Sequence, residues 1–160
     1  MQIWQVSTDL SARSGYDDAK GSIGLGVIRD LTETQIEDLL RTAIVGRIAC
    51  SHPDEPRPYL VPLAYGYDGY ALYAHSGPGR KLTNMRANPV VTVEVDSVEA
   101  SDRWQSVVAE GRFEELNGSE RDRALRLIYP APAAIPSLGE NTVVFRIVLT
   151  SKSGRYEEPE

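Results

Sequence analysis

Cysteine is almost missing from this chain: Cys50 stands alone among 160 residues, so no internal disulfide can form. A chain of this length can bury a core sufficient for one domain without such a staple. Histidine is nearly as rare. Cys50 and His52 lie close together, but with only His75 besides, the ligand set of a zinc site is not there, and no metal is expected. Basic charge is also in deficit. Lys and Arg number 17 against 23 Asp and Glu, and the net charge of −6 argues against a nucleic-acid partner, because affinity for a phosphate backbone needs surplus cations. No apolar run approaches membrane-spanning length, and the opening residues do not resemble a secretion signal. With the single cysteine, this gives the expectation of a cytoplasmic protein with no membrane partner.

What is present reads as strands with a few helices. Residues 1–28 carry scattered glycine and little periodicity and are expected to form an arm; Gly21 to Gly26 is glycine-rich but lacks the spacing of a dinucleotide fingerprint. Thr32 followed by Gln35 predicts a capping box, and Ile36, Leu39, Leu40, Ala43 and Ile44 then recur at helical spacing. Strands are expected over Gly46 to Ser51, Tyr59 to Tyr67 and Tyr70 to Ser76, the first two joined through the turn Pro53 to Pro58 and the last two by a tight Asp68-Gly69 hairpin. A short helix from Arg80 to Asn88 stops at Pro89. Val91, Val93 and Val95 alternate with polar residues, and further strands are expected over Trp104 to Glu115 and Thr142 to Leu149, separated by a helix from Ser119 and a proline-rich stretch, Pro130 to Pro136. Six or so mostly antiparallel strands with inserted helices make a mainly β fold, a barrel with peripheral helices over residues 29–152, followed by a tail over 153–160.

Acidic residues are missing between Asp68 and Glu94, where Arg80, Lys81 and Arg86 all fall. Within that stretch His75-Ser76-Gly77-Pro78-Gly79-Arg80-Lys81 ends a strand and opens a helix, so free backbone N–H groups and the helix dipole face one spot. Ser76 adds a hydroxyl donor, the glycines allow close approach, Arg80 can bind two phosphate oxygens and Lys81 adds a point charge. Leu82 follows Lys81 where a Walker loop has Ser or Thr, which disfavours triphosphate hydrolysis.

The ordered set GRIACS, RPYLVPLAYGYDG, LYAHSGPGRK, NPVVTVEVD and WQSVVAEGR resembles the flavin-binding split-barrel family, which includes pyridoxamine 5′-phosphate oxidases and nitroimidazole-resistance-type proteins; the latter branch is the nearer. The likeness runs over about residues 28–150 and is strongest over 46–112. It implies FMN held between two subunits of a homodimer. Carried over, Arg80 and Lys81 match the phosphate-binding pair, and His75 and Ser76 the strand end beside them. Tyr59, Val61, Pro62 and Leu63 match a strand whose backbone lies along the isoalloxazine ring, and Ser106 falls where the oxidases place a ring-contacting glutamine. Pro62 belongs on an edge or at a bulge, because it removes a ladder donor. The segment Gly154 to Glu160 lacks the tryptophan and arginine-leucine motif of true pyridoxamine phosphate oxidases, so the likeness implies the barrel and its cleft but not that activity.

No catalytic residue is assigned. Cys50 reads as a small buried hydrophobe in a strand rather than a nucleophile. His75 fits a hydrogen-bonded strand end, a cofactor contact or a haem ligand. Trp104 and the tyrosines at 59, 65, 67, 70 and 73 divide between core, interface and ring stacking, with at most two at the ring. The leading functional reading is an FMN-dependent oxidoreductase acting on a small-molecule substrate, with electrons from a reduced nicotinamide; a non-catalytic flavin- or haem-binding module and a deazaflavin-dependent reductase share the same pocket.

Overall fold

The computed structural model describes residues 26–159, so the arm expected over 1–28 lies almost wholly outside the described residues. Eight strands and three helices follow in the order β1 (Val27–Asp30), α1 (Glu33–Thr42), β2 (Val45–Cys50), β3 (Tyr59–Ala64), β4 (Gly66–Tyr67), β5 (Ala71–Ser76), α2 (Arg80–Ala87), β6 (Val90–Ala100), β7 (Arg103–Leu116), α3 (Gly118–Ile128) and β8 (Val143–Glu158). One antiparallel sheet runs β3-β2-β6-β7-β8-β5-β4, with β1 on β8. Only Tyr65 separates β3 from β4, the two ends of that path, so the sheet curls until its edges meet. Pro62 sits on the edge strand β3, where a missing N–H costs no ladder bond on the open side.

Period-two alternation builds the interior. Val91, Val93 and Val95 of β6 point inward and are buried, as are Val107, Ala109 and Phe113 of β7 and Phe145 and Ile147 of β8. In β5 every residue from Ala71 to Ala74 is buried. Leu72 and Ala74 enter the barrel core, while Ala71 and Tyr73 join a second cluster with Ala124 and Leu125 of α3. A strand covered on both faces reads as a continuous apolar run. Gly66 makes the α3 docking possible: a Cβ there would lie 2.3 Å from the Leu127 carbonyl oxygen.

The capping box forms, with the Gln35 N–H donating to Thr32 Oγ1 and the Thr32 N–H to Gln35 Oε1. Ile36, Leu39 and Leu40 are buried, but the helix stops at Thr42 and Ile44, expected on the same apolar face, is 75% exposed. The final strand continues beyond Leu149 to Glu158, so residues expected as a tail pair with β7 and β1.

The Asp68-Gly69 turn also differs. Only Gly69 takes a positive φ, of 93°, and the last ladder pair is Tyr67 with Leu72, which leaves a four-residue connection. The Asp68 carboxylate is responsible: it accepts the N–H groups of Tyr70 and Ala71, the Tyr73 hydroxyl, each at 2.9 Å, and Arg123 at 3.2 Å. Burial alone would raise its pKa, but these donors together hold it below the ordinary carboxylate value. A depressed folded-state pKa stabilises the fold above the unfolded value and loses that contribution as pH falls through the folded one. Asp68→Asn is therefore expected to cost about 1 kcal/mol at neutral pH and to flatten the acid limb of stability, checked by urea unfolding at about pH 7 and pH 3.

Candidate functional site

The corner after β5 places its donors as the local rules require. Helix α2 begins at Arg80 with Gly79 as N-cap, which offers no side-chain cap. The first helical bond runs from the Thr83 N–H to the Gly79 carbonyl, so the N–H groups of Arg80, Lys81 and Leu82 have no partner one turn earlier. The first turn holds no acidic residue, and a Cβ built on Gly77 or Gly79 meets nothing within 4 Å. The backbone there is open to an approaching ligand.

Three contacts tie the corner to the barrel. Arg80 Cζ lies 4.8 Å from the centre of the Tyr59 ring, at the start of β3. The Cys50 thiol faces the carbonyl oxygens of Tyr59 and Lys81, at 3.7 and 3.9 Å. Cys50 is 2% exposed, and burial raises its pKa, though Lys81 and Arg80 pull the other way; it is a buried packing residue, as expected. His75 Nε2 lies 2.5 Å from the Tyr129 hydroxyl, at the end of α3. Burial lowers the His75 pKa, and the Lys81 charge lowers it further. His75 thus stands at a hydrogen-bonded strand end beside Lys81.

Charge at the corner differs from the sequence pattern. Arg80 is ion-paired with Glu55 and Arg86 with Glu115, both supplied from distant segments. Lys81 has no ion pair or hydrogen bond from its ammonium group among the described residues, and burial lowers its pKa. One turn on, Asn84 is 1% exposed and its side chain faces the buried Cys50 thiol, with no other acceptor for its Nδ2 among the described residues. The Lys81 ammonium, without a partner among the described residues and beside three free backbone N–H groups, leaves this corner short of negative charge. Glu55 and Tyr129 escaped the sequence reading because no local spacing links them to the motif.

The structure brings Tyr59, His75, Ser76, Arg80 and Lys81 to one place, with Ser76 Oγ donating to the Gly77 carbonyl at 3.0 Å. Val61 and Leu63 turn their side chains into the core, so only their backbone and the exposed Pro62 border the open edge of β3. Ser106 is elsewhere. It pairs with Arg155, whereas Ser76 pairs with Val143, and β8 runs roughly 40 Å between those partners at about 3.3 Å per residue. Of the candidate aromatics, Tyr65 donates to the Leu40 carbonyl, Tyr67 to Glu37, Tyr73 to Asp68 and Trp104 to Glu157, Tyr70 is exposed, and Tyr59 lies at the corner, where Tyr129 joins it through His75.

Solved structures share this architecture. An FAD-binding protein from Mesorhizobium loti is 37% identical and superposes with a TM-score of 0.69 over 82% of this chain and 99% of its own. A candidate 5-nitroimidazole antibiotic resistance protein from Bacteroides thetaiotaomicron, 20% identical, has a TM-score of 0.68 over 90% and 100% of the two chains. An uncharacterised protein of Rhizobium meliloti is 32% identical over 93 residues, 58% of this chain and 60% of that relative. The barrel is therefore the split β-barrel that the sequence motifs suggested. Residues 32–156 match the pyridoxamine 5′-phosphate oxidase family as a whole, from the α1 cap through to the last strand, and the chain belongs to that family.

Proposed function

We propose that the corner binds the 5′-phosphate of FMN and that the chain is an FMN-dependent oxidoreductase, passing electrons or hydride from a reduced nicotinamide to a small, nitroaromatic-type acceptor. The observation that carries this reading is the surplus of donors: the Lys81 ammonium has no acceptor among the described residues, beside an open, uncapped helix start. Membership of the family and an FAD-binding relative at 37% identity support a flavin as the anion's bearer. When bound, the flavin supplies the redox chemistry itself, so the chain's own residues bind and orient it. Arg80 and Lys81 hold the phosphate, and the Ser76 hydroxyl can turn from the Gly77 carbonyl to a phosphate oxygen. The β3 edge from Tyr59 to Leu63 presents backbone to the ring. His75 stays tied to Tyr129 and steadies the strand end.

A homodimer belongs to this reading. Ser106 and the phosphate corner are far apart along one chain, so only a second copy brings such a residue to the ring. The outward sheet face also carries Val45, Leu60, Val90, Val98 and Val108, each 42–65% exposed, set around the Arg47, Glu94 and Asp96 ion cluster, a mixed surface suited to cover by another copy.

The test is to titrate FMN into apo-protein and follow its fluorescence, then add NADH or NADPH and a nitroaromatic. Uptake, bleaching and reoxidation are expected. If FMN does not bind, the cofactor reading fails; if it binds but neither half-reaction proceeds, the chain is a binding module. Glu55→Gln, which frees Arg80, is expected to tighten FMN on the order of 2- to 5-fold, as suits a half-exposed ion pair.

A further inference from the structure

Ser106 shares the outward face of the sheet with a cleft far from the phosphate corner. On β7, Val107 and Ala109 turn into the interior and are buried, so Trp104, Ser106 and Val108 turn out. Directly paired residues of neighbouring antiparallel strands share a face. Ser153 of β8 is therefore outward beside Val108, Arg155 beside Ser106, and Asp30 of β1 beside Arg155. These six residues and the Gly154 backbone line a cleft of about 450 Å³, within the range of small-molecule sites. Trp104 and Val108 give it apolar walls on either side of Ser106, and the Trp104 indole is held in place by its N–H bond to Glu157 at 2.7 Å.

The polar edge of the cleft carries both signs. Arg155 Nε lies 3.5 Å from Asp30 Oδ1, and the two side chains are 70% and 87% exposed, so the pair is loose and each partner keeps capacity for a ligand. A carboxylate on the ligand would satisfy Arg155 but meet like charge on Asp30 and Glu157; an ammonium would do the reverse. A primary carboxamide satisfies both, because its carbonyl oxygen accepts from the guanidinium while its N–H donates to the carboxylate. A flat ring bearing one carboxamide is the reacting end of a nicotinamide nucleotide. Resting on the flavin and homodimer reading, we propose that this cleft of one copy takes the nicotinamide ring of the electron donor, facing the flavin that the other copy holds, with Arg155 and Asp30 as the residues that recognise its carboxamide. The ring lies between Trp104 and Val108, with the Ser106 and Ser153 hydroxyls beside it.

The test titrates NAD⁺ or NADP⁺, whichever has the reduced form that bleaches the flavin, calorimetrically into the flavin-loaded full-length chain, and repeats this with the 3-acetylpyridine analogue, which keeps the carbonyl and lacks the N–H. Both ligands are already oxidised, so binding is read without turnover. Asp30→Ala is expected to weaken the nucleotide about 3- to 10-fold, the range of one hydrogen bond, and not to weaken the analogue. Arg155→Met is expected to weaken both ligands, and Asp30→Asn, which keeps an acceptor, to restore most of what Asp30→Ala loses. Flavin affinity at the parent value in all three variants reports that they are folded. Unchanged nucleotide affinity in Asp30→Ala and Arg155→Met, equal losses of nucleotide and analogue in Asp30→Ala, or weaker flavin binding in the variants overturns the carboxamide assignment while the flavin reading stands. A parent that binds no flavin, or whose bound flavin no reduced nicotinamide bleaches, removes the proposed function and this inference with it.

Discussion

Replacing Arg80 and Lys81 together with alanine is expected to weaken flavin binding by about 10²- to 10⁴-fold, since each charged hydrogen bond to phosphate contributes about 1.5 to 3 kcal/mol. The two residues are not equivalent. Arg80 is shared with Glu55 and stacked over Tyr59, so part of its interaction with an anion replaces one it already has. Lys81 has no such partner among the described residues, and its burial already penalises the charged form. Lys81→Ala alone is therefore expected to account for the larger share, and to leave the stability of the apo-protein unchanged or slightly raised, because no native contact of the ammonium is lost. Fluorescence titration gives the affinity and thermal unfolding gives the stability. Unchanged affinity in the double variant would remove the phosphate from this corner.

Phe145→Ala is expected to have the largest effect on the fold, a loss of about 3 to 5 kcal/mol. Phe145 is fully buried, sits on β8 between Ala74 of β5 and Glu115 of β7, and its ring meets that of Phe113 at 5.2 Å with a tilt of 54°. Both the barrel wall and the aromatic pair are thus lost at once. Against a typical total of about 5 to 15 kcal/mol this leaves a marginal protein, with the thermal midpoint lowered by roughly 10 °C or more. Urea unfolding checks it. At temperatures where the variant is folded, the corner is expected to keep its flavin affinity, since Phe145 does not contact it.

The two variants separate two kinds of residue. The corner is built from cations and free backbone N–H groups at a helix start, and the barrel from side chains that alternate into one core. Truncation at the corner acts on binding. Truncation in the core acts on stability.

Much of both was already present in short-range pattern. Thr32 with Gln35 specified the start of α1, Pro89 its counterpart stop after α2, and the alternation of Val91, Val93 and Val95 the inward face of β6. The meeting of strand end, glycines and cations from His75 to Lys81 was likewise readable, because helix starts and free N–H groups depend on residues within one turn of each other. Pro62 announced an edge strand for an equally local reason, the missing donor.

Tertiary structure decided the rest, mostly through contacts that span a long stretch of chain. Glu55 on Arg80 and Tyr129 on His75 come from 25 and 54 residues away. The Asp68-Gly69 turn opened to four residues because Tyr73 and Arg123 reach the Asp68 carboxylate from the next strand and from α3. Strand β8 outran its apolar pattern to Glu158 because β7 and β1 supply ladder partners there, and ladder bonds do not depend on side-chain hydropathy. Period-two alternation tells which face of a strand is buried but not which strand lies beside it. For that reason the sequence alone determined an anion-seeking corner on a β-rich domain, while only the folded sheet determined that Lys81 would have no partner among the described residues and that Ser106 of β7 would pair at the far end of β8 from it.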